Sequence, residues 1–185
     1  MIIKIGKIKK SEVFIMRLKN KLLTNLRRET KEVKQDLRRD WGEDFYECIK
    51  DIAEHPVVLR MKLYPHHGHT NCYQHCLHVA YYNYVLCRFF QLDARSAARG
   101  GMLHDLFLYD WHTHAARTGD HFHGMTHPAC AHKHAKKFFE LNHIQEDVIK
   151  NHMWPVTLFH FPRTKEGWIT TLTDKYCGTL ETSQR

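Results

Sequence analysis

Apolar residues along the chain recur mostly at helical spacing, and no pair of strands with hairpin turn chemistry stands out. Leu18, Leu22, Leu26, Val33 and Leu37 form a first stripe and predict a helix over residues 17–40. A second helix is expected from about Glu43 to Glu54, stopping before His55-Pro56 because the residue before proline resists helical geometry. Pro65 to Thr70 reads as a His-rich loop. Asn71 then offers an N-cap, with Gln74 three residues on, and opens a long helix to about Phe90. Asp93 caps the next helix, whose Ala94, Ala97, Ala98 and Leu103 lead into His104-Asp105. Tyr109 to Thr126 is polar, carries Gly119 and Gly124, and is expected to be a loop. Pro128 suits the first turn of a helix reaching about Leu141. A shorter helix near Glu146 to His152 ends before Pro155, and a last one from about Lys165 to Leu180 follows Pro162. No internal repeat and no Gly/Ser linker interrupts the pattern, which predicts an all-α bundle.

Length and composition set the frame for that bundle. The 185 residues are 43% hydrophobic, enough for one compact domain with a core. Every apolar run falls far short of the ~20 residues that cross a bilayer. Met1 to Lys10 is interrupted by lysines and lacks the apolar centre of a secretory signal, so a soluble, cytoplasmic protein is expected. The net charge of +8 is unevenly placed. Residues 1–40 hold 13 Lys/Arg against 5 Asp/Glu, whereas residues 41–185 hold 15 of each. The chain therefore divides into a basic N-terminal extension and helix (1–40) and a neutral domain (41–185). Met16 opens a better helical pattern than Met1, leaving residues 1–15 as a loose extension. Two readings of 17–40 stand: a helix with a solvated outer face, or an electrostatic patch for RNA, acidic lipid or an acidic partner. Any nucleic-acid contact is confined to this segment. The six cysteines form no C-x-x-C pair and read as reduced, mostly buried thiols.

Histidine changes the picture. Of 17 His, 16 fall between His66 and His160. In an all-α protein, metal sites are built from side chains projecting inward from several helices. His75, His104-Asp105, His127, His152 and Asp174 each lie on an expected helix or at its end. Asp105 is set among Gly100, Gly101, Met102, Leu103 and Leu106, and Asp174 among Leu172, Tyr176 and Cys177. A carboxylate in such apolar surroundings requires a partner, and a divalent cation is a strong one.

The order of these residues resembles the HD-domain metal-dependent phosphohydrolases. The matching text is His75 in QHCLHVA, His104-Asp105 in GGMLHDLFLYD and Asp174 in TLTDKYC, spanning about residues 70–180. His127 in THPACAH and His152 in IKNHMWP stand where two-metal members of the family carry further ligands. The resemblance implies an HD-like helical bundle in which His75, His104, Asp105 and Asp174 hold one divalent transition metal. Asp105, His127 and His152 would hold a second, and His104 and Asp105 would be central to catalysis. The all-N/O donor set suits iron, manganese, nickel or zinc. The activity implied is hydrolysis of a phosphoester or phosphoanhydride, on a small phosphorylated and nucleotide-like substrate, by a water ionised between the ions.

Alternatives remain at individual residues. His127, just before Pro128, is also placed to cap its helix, and His152 to serve as a cation at a helix C-terminus. His160 and His78 are reserve ligands. The stretch from Asp110 to His123 holds Asp110, His112, His114, Arg117, His121 and His123. It follows the His-Asp doublet, which puts it at the mouth of the pocket. His112 and Arg117 are its candidate substrate contacts, with Lys175, Arg163 and Lys165 candidates elsewhere. Trp111, Trp154 and Trp168 are placed either to stack on a base or to pack. Many relatives follow the doublet with a small residue and then Lys. This chain has Leu106, Phe107, Leu108 and Tyr109, which predicts a bulkier, more aromatic pocket. The run His66-His67-Gly68-His69 is open between an entrance loop, a weak metal site and solvated histidines. Two further functions compete with hydrolysis: a di-iron oxygenase on the same fold, and a non-catalytic, metal-stabilised module that binds RNA or a partner through residues 17–40.

Overall fold

A computed structural model describes residues 41–119 and 121–183, and the helix expected over 17–40, with its electrostatic reading, lies outside the described residues. Among the described residues the architecture is all-helical, with no strand beyond an isolated Pro65–Asn71 bridge. The helices are α1 (Glu43–Ala53), α2 (Pro56–Leu59), α3 (Cys72–Phe89), α4 (Ala94–Leu103), α5 (Trp111–Thr118), α6 (His123–Phe138), α7 (His143–Asn151) and α8 (Lys165–Ser183), with a 3-10 turn at Arg60–Leu63. None is long and apolar enough to cross a membrane.

Several boundaries follow directly from cap chemistry. Asn71 accepts from the Gln74 amide at 2.9 Å while the Gln74 side chain accepts from the Asn71 amide at 3.0 Å, closing the expected capping box. Asp93 accepts from the Ser96 amide at 2.9 Å. Asn142 and Gln145 form a second box, so α7 begins at His143, earlier than the expected Glu146. Pro56 not only ends α1 but opens α2, whose N-cap His55 accepts from the Val57 amide at 3.2 Å.

The largest departure falls in the expected loop over Tyr109–Thr126. Asp110 accepts from the His112 amide at 3.0 Å and starts α5, and Gly119 follows its end at a left-handed φ of 76°. α6 then begins at His123 rather than at Pro128, which lies inside the helix. His127 is therefore a residue of the helix body and not its cap. The helix also stops at Phe138, short of Leu141.

α3 packs most extensively on α4 and then on α8, while α4 also meets α7 and α1. Phe45, Tyr46, Ile49 and Ile52 of α1 are buried with Cys76 and Ala80 of α3, Ala98, Met102 and Leu103 of α4, and Ile149 of α7. α3 and α4 approach so closely that a Cβ at Gly101 would lie 3.0 Å from the Ala80 Cα and 2.7 Å from the Asn83 Nδ2. The buried Asn83 links three helices: its Nδ2 donates to the Ala97 carbonyl at 3.1 Å and to Thr170 Oγ1 at 2.9 Å, and its Oδ1 accepts from Thr173 at 2.6 Å. α3, α4 and α8 are thereby fixed around the point where α4 ends in His104-Asp105. All six cysteines are free thiols, four of them buried.

Candidate metal centre

His75 lies one turn inside α3, His104 caps α4, His127 is in the second turn of α6, His152 caps α7, and Asp174 faces them from the middle of α8. The structure brings all six expected residues together: His75, His104, Asp105, His127 and His152 are buried, and the Asp174 side chain is 13% exposed. Two groups form around Asp105. His75 Nε2 lies 3.1 Å and His104 Nε2 3.6 Å from Asp174 Oδ1, with Asp105 Oδ2 at 4.0 and 3.4 Å from the same two nitrogens. On the other side, Asp105 Oδ1 lies 3.2 Å from His127 Nε2 and 3.6 Å from His152 Nε2. The two carboxylate oxygens of Asp105 thus face different histidine pairs.

Ring orientation is set from behind. His104 donates Nδ1–H to the Gly101 carbonyl at 2.7 Å, His127 to His123 O at 2.8 Å and His152 to Ile149 O at 3.0 Å. A carbonyl only accepts, so these Nδ1 atoms carry the protons and the Nε2 lone pairs turn inward. His75 differs, because its Nδ1 faces a carboxylate, Glu181 Oε2, at 2.9 Å. Four Nε2 atoms therefore converge on two carboxylates, Asp105 and Asp174. Among the described residues, His104 Nε2 and Asp105 Oδ1 are buried without a hydrogen-bond partner of good geometry. Such orphans next to converging lone pairs fit divalent cations. The ligand atoms of His75, His104 and Asp174 lie within 4.8 Å of one another, as do those of Asp105, His127 and His152, so these groups could hold metal ions.

Electrostatics agree with that reading. Burial pulls His75 and His104 down, but the carboxylates of Asp174 and Glu181 beside the first, and Asp105 beside the second, carry both well above the ordinary histidine value. Burial raises Asp105 and Asp174, and the surrounding imidazoles overcome it and hold both well below the carboxylate range. His152, buried among His104 and His127, is pushed down to about 3, so it is not the helix-terminal cation that its position allowed. Without a metal, protons on His75 and His104 supply the positive charge that the carboxylates demand.

Two residues that the sequence left unassigned belong here. His66, from the run His66–His69, is buried with its Nε2 3.2 Å from Asp105 Oδ2, and burial takes it down to about 4. Its loop is pinned to α8, because Gly68, at φ 55°, presses against the Glu181 carbonyl, where a Cβ would overlap. Glu181 itself is buried.

A cavity of about 650 Å³ opens over the centre, lined by His66, Trp111, His123, Met153, Val156 and Lys175 among others. Lys175 Nζ donates to the His152 carbonyl at 2.9 Å and lies 3.6 Å from Asp174 Oδ2, and the residue lines this cavity. Trp111 also stands there, its ring stacked on His123 at 5.5 Å and 11°. Other expected contacts are not brought to the cavity. Arg163 lines a separate cavity with His132, Lys150 and His160, because its backbone amide is held by the Asp147 carboxylate at 3.0 Å. His160, a reserve ligand by sequence, is exposed and lines that second cavity instead. His112 is 43% exposed, bonded to Asp110 and stacked on the outer face of α5's Trp111 at 3.9 Å. Lys165 is exposed at the start of α8, and Trp154 and Trp168 pack on one another at 4.9 Å. Arg117 lies on α5, and its side chain is outside the described residues. No known family, curated protein or solved structure matches the chain.

Proposed function

We propose that the chain is a metal-dependent phosphohydrolase of the HD type with a two-ion centre. The observation that carries this reading is the inward convergence of four imidazole Nε2 atoms on Asp105 and Asp174, each ring fixed through its Nδ1. His75, His104, Asp105 and Asp174 would hold one ion, and Asp105, His127 and His152 the other. Held by these residues, divalent cations would supply Lewis-acid polarisation of a phosphoryl oxygen and a bound water acidic enough to serve as the nucleophile near neutral pH.

The remaining work belongs to the chain. Asp105 joins the two halves, since one oxygen faces each histidine pair. His66 holds Asp105 Oδ2 from the cavity side at 3.2 Å. Lys175 offers a cation at the mouth for a phosphoryl oxygen. Trp111, Met153 and Val156 would offer the leaving group an apolar wall. That wall suits a small substrate with a flat or apolar part, such as a nucleotide. Cys76 Sγ lies 3.7 Å from His104 Nδ1, and Cys76, His104 and Asp105 form a further group whose ligand atoms lie within 4.8 Å of one another.

The test is elemental analysis of tag-free protein purified without chelator, together with turnover of phosphomonoesters and phosphodiesters. About two transition-metal ions per chain and phosphate release, both lost in Asp105→Ala, are expected. Two irons with substrate oxidation and no phosphate release would replace this reading with the oxygenase. No metal in wild type, and no difference in the variant, would leave a binding module.

A further inference from the structure

Glu181 is the buried acid that the ligand set does not use. It lies seven residues after Asp174, two helical turns further along the same face of α8. Across from it, α3 presents His75 and His78, three residues apart on one face. The His75 ring is held between the two acids, with Nε2 3.1 Å from Asp174 Oδ1 and Nδ1 2.9 Å from Glu181 Oε2. The other Glu181 oxygen, Oε1, meets His78 Nδ1 at 2.7 Å, and Thr70 donates its hydroxyl to Oε2 at 3.2 Å. The Glu181 side chain is only 5% exposed, and His75, His78 and Thr70 all meet its carboxylate.

This sets His75 apart from its three companions, whose Nδ1 atoms all meet neutral backbone carbonyls. A carboxylate accepts a stronger hydrogen bond than a carbonyl and makes the opposite ring nitrogen more electron-rich. We propose that Glu181 is the positioning residue of the first ion: it accepts the Nδ1 proton of His75, fixes that ring with Nε2 on the centre, and strengthens it as a donor. The inference rests on the two-ion reading above. It makes the two halves of the centre unequal, because only the His75–His104–Asp174 half has an anionic support behind one of its imidazoles. His78, partly exposed, ties the same carboxylate to the outer edge of α3.

The test uses the full chain, stripped of metal and titrated with Zn²⁺, with Glu181→Gln and Glu181→Asp alongside wild type. Expected in Glu181→Gln is a loss of about 10–100-fold in affinity at one site only, the other staying within about twofold, with Glu181→Asp recovering part of the loss. Equal weakening of both sites in step with a lower unfolding midpoint of the metal-free variant would mean a merely structural role and overturn the proposal. Unchanged affinity at both would also overturn it. Should Glu181→Gln not fold, long-range ¹H–¹⁵N spectra of zinc-loaded wild type decide the matter. A protonated His75 Nδ1 with metallated Nε2 is expected, and the reverse tautomer overturns the proposal. Wild type that takes up no Zn²⁺ removes the two-ion reading itself, and this inference with it.

Discussion

The Nε2 atoms of His127 and His152 face one another across 2.9 Å, although both rings already donate their Nδ1 protons to backbone carbonyls. Two lone pairs at that distance repel unless a positive charge lies between or beside them. Asp105 Oδ1, at 3.2 and 3.6 Å from the two nitrogens, makes a cation favourable at that point. The pair comes from different helices, so neither ring can relieve the contact by moving along a shared backbone.

Removing one member of this pair should therefore halve the metal content. His127→Ala and His152→Ala are each expected to bind about one ion where wild type binds about two, while His75→Ala loses the other. Elemental analysis of the three variants checks this. Retention of both ions in His152→Ala would refute the assignment of the second half-site.

His66 holds Asp105 without belonging to either histidine pair. His66→Gln is expected to keep both ions and to lose turnover by about 10–100-fold, the usual cost of removing an outer partner of a metal ligand. Loss of one whole ion in this variant would instead make His66 a ligand.

The metal-free chain should be most stable near pH 6.5. The carboxylates raise His75 and His104 above the ordinary value of 6.5. Their contribution is complete below pH 6.5 and fades as pH rises through the folded values. Burial depresses His66 and His123 to about 4 and His152 to about 3. Their contribution is complete above pH 6.5 and fades as pH falls toward those values. Both trends place the maximum between them. Metal uptake displaces the protons on His75 and His104, so the loaded protein should have its maximum at higher pH. Thermal midpoints from pH 4 to 9, with and without Zn²⁺, test this; a metal-free midpoint that climbs throughout would contradict it.

Gly101→Ala should destabilise by about 1–3 kcal/mol, because the new methyl meets the Ala80 backbone and Asn83 where α3 and α4 touch. Urea unfolding measures the loss. Since His104 donates to the Gly101 carbonyl, zinc affinity should fall with it. An unchanged midpoint would mean that the two helices separate freely.

The helical class was legible in the periods and caps that the sequence displays, such as Asn71 with Gln74 before His75, and the six centre residues in their order along the chain: His75, His104-Asp105, His127, His152 and Asp174. α5 was missed for want of an apolar stripe, although Asp110 before it and Gly119 after it were visible punctuation. The Asn142–Gln145 box was equally readable and fixed the start of α7. Glu181 repeats the face of Asp174 at a spacing of two turns, a signal that needed the partner row on α3 to acquire meaning. His66 had no such signal, because its place depends on a loop closed by the Pro65–Asn71 bridge. Arg163 misled because closeness to a helix start does not say which side of that helix a side chain reaches.

Helix ends ordinarily fray, and the last turn of a helix is among the first parts of a protein to open. Here that turn of α8 carries Glu181, with Gly68 pressed on its carbonyl and Thr70 on its carboxylate. Order at the helix end and aim of the His75 ring are consequently one property. If the centre holds the two ions proposed for it, gentle warming should release the one on the His75 side while the core around Ile49 and Met102 is still intact.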